Sequence, residues 1–266
     1  MAKPSFIELS RTERLPILYE DRAVLAVDKP RGWMLVPFTW QRTNRNLQAA
    51  ITSSIAAGHF WARSRNLKFL RHVHRLDSET TGILLFAKSQ GALDTFSDLF
   101  ESRQMAKRYL AVITGPPPST EWTCRLALAP DPEQAGRMVA SAEGKPSETH
   151  FRVRPASAGP LTLVEARPVT GRTHQIRVHL AESARPIEGD PLYGPASSAP
   201  IDPARAYPMG LRAVELAFRD PFNGRPICIR APQEEFLREF GFKTLAGADT
   251  EFGSPAFTRS PRRPPP

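Results

Sequence analysis

The sequence His74-Arg75-Leu76-Asp77, followed by Thr80-Thr81-Gly82 and Ile83-Leu84-Leu85-Phe86-Ala87, decides much of the fold. The last of these segments is a short, continuous apolar run, which is typical of a strand that is buried on both faces. The preceding polar segment therefore places an arginine and an aspartate at the start of a buried strand. A charged pair in that position is either a structural ion pair or part of a functional site, and the spacing alone allows both.

On either side of this segment the chain alternates between strand and helix patterns. Apolar residues at helical spacing predict helices over residues 47–57, 92–102 and 173–182, and Gly58 offers a stop for the first of them. Short β-type runs predict strands at 17–19, 23–27, 83–87, 109–114, 149–153, 161–166, 214–218 and 227–229. Many strands with interspersed helices indicate an α+β fold, with a mixed, mainly antiparallel sheet flanked by helices.

The same pattern divides the chain into three parts. Residues 1–14 read as a polar N-terminal lead-in, and residues 15–246 as one folded domain. Residues 247–266 are rich in proline and arginine and too poor in apolar residues to form a core, so we expect them to be disordered.

Composition narrows the classes of function. The formal net charge is +9 and the sequence pI is about 10.1, which favours a polyanionic partner such as nucleic acid. The two cysteines, Cys124 and Cys228, are isolated, so we expect neither a disulfide framework nor a zinc site. We also expect a cytoplasmic protein that does not bind membranes, because neither a signal sequence nor a bilayer-spanning apolar stretch is evident.

Two further motifs carry candidate chemistry. One is Gly171-Arg172-Thr173-His174-Gln175-Ile176-Arg177-Val178-His179, and the other is Gly189-Asp190-Pro191-Leu192-Tyr193-Gly194. A guanidinium from the first motif, beside the carboxylate of Asp77, would stabilise the ionised form of that carboxylate through charge and a two-point hydrogen bond. A carboxylate that acts as nucleophile or base needs such support when it is removed from water.

Together these motifs resemble the signatures of the RluA-type pseudouridine synthases, in the same order along the chain. In that family an H-R-L-D segment, a G-R-T-H-Q-I-R-V-H segment and a G-D-x-x-Y-G segment follow one another. The opening segment Leu25–Gly32 is also similar to the family's first strand and turn. The resemblance covers roughly residues 16–230, and several long motifs in order are far more specific than one.

The resemblance implies a pseudouridine synthase catalytic domain over residues 15–246, with a central RNA-binding cleft. Asp77 matches the catalytic aspartate, Arg177 its basic partner, and Tyr109 the tyrosine of the K-x-Y segment. Candidate substrate-binding residues are His74, Arg75, Thr81, Gly82, Arg172 and His174. Basic residues that could contact RNA phosphates, or equally be ordinary surface charges, are Lys29, Arg31, Lys107, Arg108, Lys145 and Arg172. The segment Gly189-Asp190-Pro191 is interpreted as a structural turn that supports the site. The resemblance implies RNA, ribosomal or transfer, as the partner, a monomeric enzyme, and no cofactor or metal.

The residue types suit the isomerisation of uridine. Asp77 could attack C6 of the base or C1′ of the sugar, or take a proton from C2′, and the sequence leaves these three roles open. The ring of Tyr109 could stack on uracil, and its hydroxyl could assist removal of the C5 proton. The target uridine would have to leave its stack to reach such a site.

Two other classes of function are compatible with parts of the sequence. A catalytically silent RNA-binding protein could keep the fold, although it would not need Asp77, Tyr109 and Arg177 together. A phosphoesterase could use His72 and His74 with a metal ion, but no further ligand follows at a suitable spacing.

The chain also departs from the family pattern in two ways. Arg212 replaces the histidine of a common Leu-His-Ala segment, and there is no room before residue 15 for the small N-terminal RNA-binding (S4) domain of some relatives.

Overall fold

The computed structural model describes residues 2–10, 13–35, 45–194 and 208–243 of the 266-residue chain. Among these residues the strands are β1 (Phe6–Glu8), β2 (Arg14–Glu20), β3 (Val24–Lys29), β4 (Arg71–His72), β5 (Thr81–Ala87), β6 (Ala106–Thr114), β7 (Glu121–Cys124), β8 (Leu128–Pro130), β9 (Met138–Ala140), β10 (Thr149–Ala158), β11 (Leu161–Pro168), β12 (Leu211–Arg219) and β13 (Pro226–Arg230). The helices are α1 (Leu47–Ala56), α2 (Phe60–Arg63), α3 (Gln90–Glu101), α4 (Gln175–Ser183) and α5 (Glu234–Glu239).

Most of the strands form one large sheet in the order β1-β2-β3-β5-β12-β6-β11-β10-β7, with β4 paired to β5 and β13 paired to β12. The neighbours in this sheet are antiparallel except β5 and β12, which run parallel. The strands β8 and β9 form a separate hairpin. The mixed, mainly antiparallel sheet predicted from the sequence is therefore confirmed.

The sheet buries apolar side chains on both faces. In β5 every residue is buried, and successive side chains alternate between two clusters: Leu84 and Phe86 pack with α1 and α2, while Ile83 and Leu85 pack with α3. In β6 the same alternation sends Ala111 and Ile113 towards α4, and Leu110 and Val112 towards α5. Helices thus cover both faces, as expected for a sheet whose strands are apolar throughout.

The parallel pairing of β5 with β12 depends on a glycine. Gly82 has φ +105°, and a Cβ atom there would lie 2.1 Å from the carbonyl oxygen of Ala213. Only a residue without a side chain permits this backbone approach. Since Gly82 follows Thr81 at the start of β5, this contact fixes where the loop that carries Asp77 leaves the sheet.

The three helices and eight strands predicted from the sequence all occur at the expected places, with ends that differ by a few residues. The interpretation of residues 1–14 as a polar lead-in was wrong for part of that segment. Phe6–Glu8 forms β1, pairs antiparallel with β2, and buries Ile7 completely. Three residues are too few to show an alternating pattern, so their strand forms through pairing with β2.

Within the part of the chain that the structure describes, no helix is both long enough and apolar enough to cross a bilayer. The predicted disordered tail, residues 247–266, lies outside the described residues.

Candidate active site

Helix α4 presents the central arginine of the site. The helix starts after His174, which adopts a left-handed conformation (φ +54°). Gln175 then fixes the start of the helix: its side-chain oxygen accepts from the Thr170 hydroxyl and the Arg172 N–H, and its amide donates to the Glu148 carbonyl and the Thr149 hydroxyl. Because all of these groups are satisfied, the turn before α4 has one defined geometry.

Arg177 is the central cation of the site and binds two carboxylates at once. Its Nε and Nη2 donate to the two oxygens of Asp190 at 2.7 and 2.8 Å, and its Nη1 donates to Oδ2 of Asp77 at 2.9 Å. Burial works against the charge of Arg177, but the carboxylates of Asp190 and Asp77 outweigh this effect and raise the pKa of the guanidinium. The predicted ion pair between Asp77 and Arg177 is confirmed.

Asp77 differs from Asp190 in its access to solvent. The Asp77 side chain is 27% exposed, whereas the Asp190 side chain is fully buried. Asp190 also accepts from the backbone N–H groups of Leu192 and Tyr193, so it receives four hydrogen bonds inside the protein. Asp77 is therefore the carboxylate of this pair that a substrate can reach, and Asp190 holds the arginine that supports it.

The loop that carries Asp77 is tied down by a buried lysine. Lys29, at the end of β3, donates from Nζ to the carbonyls of Pro30, Ser78 and Thr80 at 2.8–3.1 Å. Burial lowers the pKa of Lys29 to about 8, opposed by the nearby carboxylates of Glu79 and Asp77. The ammonium thus fixes the backbone that directly follows Asp77.

Tyr109 lies on β6 between two hydrophobic clusters on the face of the sheet that carries α4. Its side chain is half-buried. Burial raises the pKa of its hydroxyl above the ordinary value, and the negative charge of Asp77 raises it further. A neutral phenol near Asp77 is thus available as a flat apolar wall for a base.

His174 is the third group near Asp77. Its Nε2 lies 3.8 Å from Oδ1 of Asp77, and its Nδ1 lies 2.9 Å from the hydroxyl of Tyr193. Burial lowers the pKa of His174, with Asp77 opposing that effect, so the ring is neutral at neutral pH.

Two further candidates have the exposure that a substrate contact requires. Arg75 is exposed two residues before Asp77. Arg172 is half-buried at the turn before α4, with its Nε donating to the Pro146 carbonyl.

The other three candidates are placed within the protein. The ring of His74 stacks on Phe100 with a 4.6 Å centroid separation, and its Nε2 accepts from the N–H of Leu85. Burial is the main cause that lowers the pKa of His74 to about 3, and the positive charge of Lys107 acts in the same direction. Thr81 is buried and Gly82 joins β5 to β12. Thr81 and Gly82 are thus enclosed in the sheet, and the half-buried ring of His74 packs against α3 through Phe100.

Several basic residues near the motifs bind other groups within the protein. Arg108 was a candidate for phosphate contact, but it is buried and donates to Glu215 at 2.9 Å. Two lysines also bind groups within the protein: Lys29 donates to the Thr80 carbonyl, and Lys107 donates to the Thr170 carbonyl.

Arg212, which replaces the family's histidine, donates to Asp28 at 2.6 Å and to the Pro232 carbonyl. Its neighbour Val214 packs with α5, so Arg212 points to the face of the sheet opposite α4.

Four residues build the site in ways that the sequence did not predict. Lys29 was a candidate for phosphate contact, Asp190 was interpreted as part of a turn that supports the site, and Gln175 and Tyr193 were given no role of their own. Only their membership of the matched motifs pointed to them, because their partners are distant in sequence.

His72 and His74 were the possible metal ligands. Nδ1 of His72 lies within hydrogen-bond distance of the side-chain oxygen of Gln48, and the ring of His74 stacks on Phe100. Among the described residues, no group of three or more His, Cys, Asp or Glu is arranged to hold a metal ion.

Comparison with known proteins identifies the family. The family model for RNA pseudouridylate synthase matches residues 23–182. The ribosomal large subunit pseudouridine synthase C of Escherichia coli K12 is 36% identical over 230 residues, which cover 84% of this chain and 67% of that protein. An uncharacterized RNA pseudouridine synthase of Bacillus subtilis is 34% identical over 202 residues, covering 72% of this chain and 65% of that one.

Solved structures agree with the fold. Human RNA pseudouridylate synthase domain-containing protein 1 superposes with a TM-score of 0.66 at 27% identity, covering 86% of this chain and 87% of that one. The human domain-containing protein 4 gives a TM-score of 0.64 at 23% identity, with 85% and 93% covered, and shows the fold alone. The family, the α+β fold and the enzyme class predicted from the sequence are thereby confirmed. The chain therefore belongs to the RNA pseudouridylate synthase family and is an isomerase of uridine in RNA.

Proposed function

We propose that Asp77 is the catalytic carboxylate of this isomerase, with Arg177 as its partner and Tyr109 as the wall against which uracil is held. The observation that carries the proposal is the asymmetric pair of carboxylates on Arg177. The buried one, Asp190, holds the guanidinium at two points, and the accessible one, Asp77, receives the remaining N–H at 2.9 Å.

The reaction sets clear demands on these groups. The N1–C1′ bond of uridine breaks, the base turns, a C5–C1′ bond forms, and the C5 hydrogen leaves as a proton while N1 gains one. Arg177 binds Oδ2 of Asp77, so the other carboxylate oxygen can serve as the nucleophile at C6 or C1′ or as the base at C2′. Tyr109, held neutral, can stack on the detached base and keep it in the site.

Arg75, Arg172 and His174 are the proposed substrate contacts, because their side chains lie near Asp77 or at the turn beside it and retain exposure. Burial is the main cause that lowers the pKa of His174, and the positive charge of Arg75 adds to it, which supports a position of the Arg75 guanidinium near this ring. His74, Thr81 and Gly82 act by holding the Asp77 loop.

We propose ribosomal RNA as the preferred target and transfer RNA as the alternative. The support is the name of the bacterial relatives, ribosomal large subunit pseudouridine synthase C, which are 36% identical over 84% of this chain. Cytoplasmic location and a monomeric state remain predictions from the sequence.

The decisive experiment measures tritium release from RNA labelled at uridine C5. We expect the wild-type protein to release label, and Asp77→Asn to lower the rate by ~10⁴-fold or more, as removal of an essential nucleophile or base does. Asp77→Asn keeps the shape of the side chain, and Arg177 stays paired with Asp190, so the variant should fold normally.

A matched control is Asp94→Asn on the exposed surface of α3, where the carboxylate accepts from Gln90. It should release label at the wild-type rate. RNA binding without release by the wild-type protein would overturn the proposal and leave a silent RNA-binding protein. Mapping pseudouridines in ribosomal and transfer RNA from cells with and without the protein then identifies the target.

A further inference from the structure

Tyr193 makes contacts on both sides of its hydroxyl. The oxygen accepts from the backbone N–H of Met138 in the β8–β9 hairpin at 2.8 Å, and it lies 2.9 Å from Nδ1 of His174. The Tyr193 ring is also covered by the guanidinium of Arg177, whose Cζ lies 5.1 Å from the ring centroid. This side chain is buried, with 8% exposure.

These contacts determine which nitrogen of His174 carries the proton. A phenol has one O–H to donate, and a buried donor without a partner costs free energy. Among the described residues, the acceptor within hydrogen-bond distance of the Tyr193 hydroxyl is Nδ1 of His174, because Met138 offers only an N–H. Tyr193 therefore donates to Nδ1, and the neutral ring carries its proton on Nε2.

The protonated nitrogen faces the carboxylate of Asp77. Nε2 lies 3.8 Å from Oδ1, the oxygen that Arg177 leaves free, since Arg177 binds Oδ2. This separation is longer than a hydrogen bond, and catalytic hydrogen bonds are often long before substrate binds and shorten afterwards. An N–H on one side and a guanidinium on the other would fix the plane of the carboxylate.

We propose that Tyr193 is a positioning residue for uridine isomerisation, which holds His174 in the Nε2–H tautomer so that this N–H orients Oδ1 of Asp77. The inference rests on the proposed function, because it assigns Asp77 the catalytic role. It extends the site to the third family motif and to the β8–β9 hairpin, whose backbone completes the hydrogen bonding of the Tyr193 hydroxyl.

The tautomer is measured without substrate, by two-bond ¹H–¹⁵N correlation spectra of the imidazole rings of the full-length protein at pH 7.5. The His174 signals are assigned by their loss in His174→Gln. We expect Nε2 to be protonated in the wild-type protein. In Tyr193→Phe, Nδ1 loses its donor, so we expect a mixture of both tautomers.

Activity is measured as tritium release, with kcat and KM determined separately. Tyr193→Phe should lower kcat by about 10-fold, the effect of losing one buried hydrogen bond, with KM for RNA unchanged. His174→Gln should retain more activity than His174→Leu, because its amide N–H can replace Nε2–H. Tyr19→Phe is the matched control: it removes the hydroxyl of a tyrosine in β2 that donates to Asp21, and it should leave kcat unchanged.

Several results would overturn the inference. One is an Nδ1-protonated His174 in the wild-type protein, and another is a wild-type kcat in Tyr193→Phe. A third is a loss of activity that only follows the folded fraction, seen by circular dichroism, with the tautomer unchanged. Absence of release by the wild-type protein would instead refute the proposed function, and the spectra distinguish these two failures.

Discussion

At the scale of single residues, the site depends on how one guanidinium is shared. Arginine presents its N–H groups in a rigid, planar fork, so two-point binding by Asp190 fixes the plane in which Nη1 reaches Asp77. A lysine at position 177 could not make these three contacts in fixed directions. The position of Asp77, the proposed catalytic carboxylate, therefore depends on Asp190, which is fully buried.

Replacing Asp190 tests this dependence. Asp190→Asn removes a buried negative charge and leaves the Arg177 guanidinium less compensated, so we expect the free energy of unfolding to fall by ~3–5 kcal/mol. Activity per folded molecule should fall as well, because Arg177 is no longer held in place. Urea unfolding followed by circular dichroism measures the first effect, and tritium release the second.

The control for this variant is Glu121→Gln, which breaks an exposed ion pair with Arg152, whose side chains are 66% and 60% exposed. We expect a change in the free energy of unfolding of less than ~1 kcal/mol. Equal stability of the two variants would contradict the role assigned to Asp190.

At the scale of elements, the site is assembled where β5 and β12 run parallel within an otherwise antiparallel sheet. The Asp77 loop enters β5 there, Lys29 at the end of β3 binds the loop carbonyls, and Tyr109 stands on β6, the other neighbour of β12. The strands β3, β5, β12 and β6 are thus neighbours at this point, and Gly82 permits the close contact between β5 and β12.

Gly82→Ala should be severely destabilising. The added Cβ would lie 2.1 Å from the Ala213 carbonyl oxygen, and the φ of +105° is one that alanine rarely adopts. We expect a loss of several kcal/mol, about 3 or more, in the free energy of unfolding, or failure to fold. Thermal unfolding of the purified variant measures the effect.

Gly91→Ala is the matched control, because Gly91 lies in α3 and an added Cβ there would meet nothing within 4 Å. Helix propensity predicts a gain of up to about 1 kcal/mol. A Gly82→Ala protein as stable as Gly91→Ala would show that the β5–β12 contact tolerates a side chain.

At the scale of the whole molecule, four histidines make the fold sensitive to acid. Burial is the main cause that lowers the pKa of His72, His74, His174 and His179 below the ordinary value of 6.5. Above pH 6.5 these rings are mostly neutral in the folded and in the unfolded protein. Below it the unfolded chain binds protons that the folded chain does not, so stability is lost as the pH falls.

We therefore expect a lower free energy of unfolding at pH 5.5 than at pH 7.5, measured by urea titration at both values. Each affected histidine changes the free energy of unfolding by up to ~1.4 kcal/mol per pH unit. His179→Gln should reduce the difference between the two pH values, because it removes a fully buried ring. A His179→Gln protein that keeps the wild-type difference between the two pH values would contradict this account.

Metal removal is a second test at this scale. The described residues hold no cluster of metal-ligating side chains, and the proposed chemistry uses only Asp77, Arg177 and Tyr109. We expect tritium release to persist after dialysis against EDTA, in a metal-free buffer. Loss of activity that added metal restores would favour a metal-dependent enzyme instead.

The sequence by itself determined eight of the thirteen described strands, three of the five described helices and the family. Strand and helix patterns are local, so the runs at residues 83–87 and 109–114 were readable without any partner, as were three motifs in a fixed order. β1 was missed because its three residues become a strand only through pairing with β2. Asp77 and Arg177 could be chosen from the motifs, although they stand 100 residues apart.

Only the tertiary structure decided what each polar side chain of those motifs does. Lys29 and His74 were candidates for contact with RNA. In the fold, Lys29 binds carbonyls 49 and 51 residues away, and the ring of His74 stacks on Phe100. The roles of Asp190 and Tyr193 come from their contacts with Arg177 and His174, and the spacing of the motifs does not predict these contacts. The physical reason is that burial and hydrogen-bond partners depend on packing between distant segments, so a motif identifies a site without showing which of its residues face the substrate.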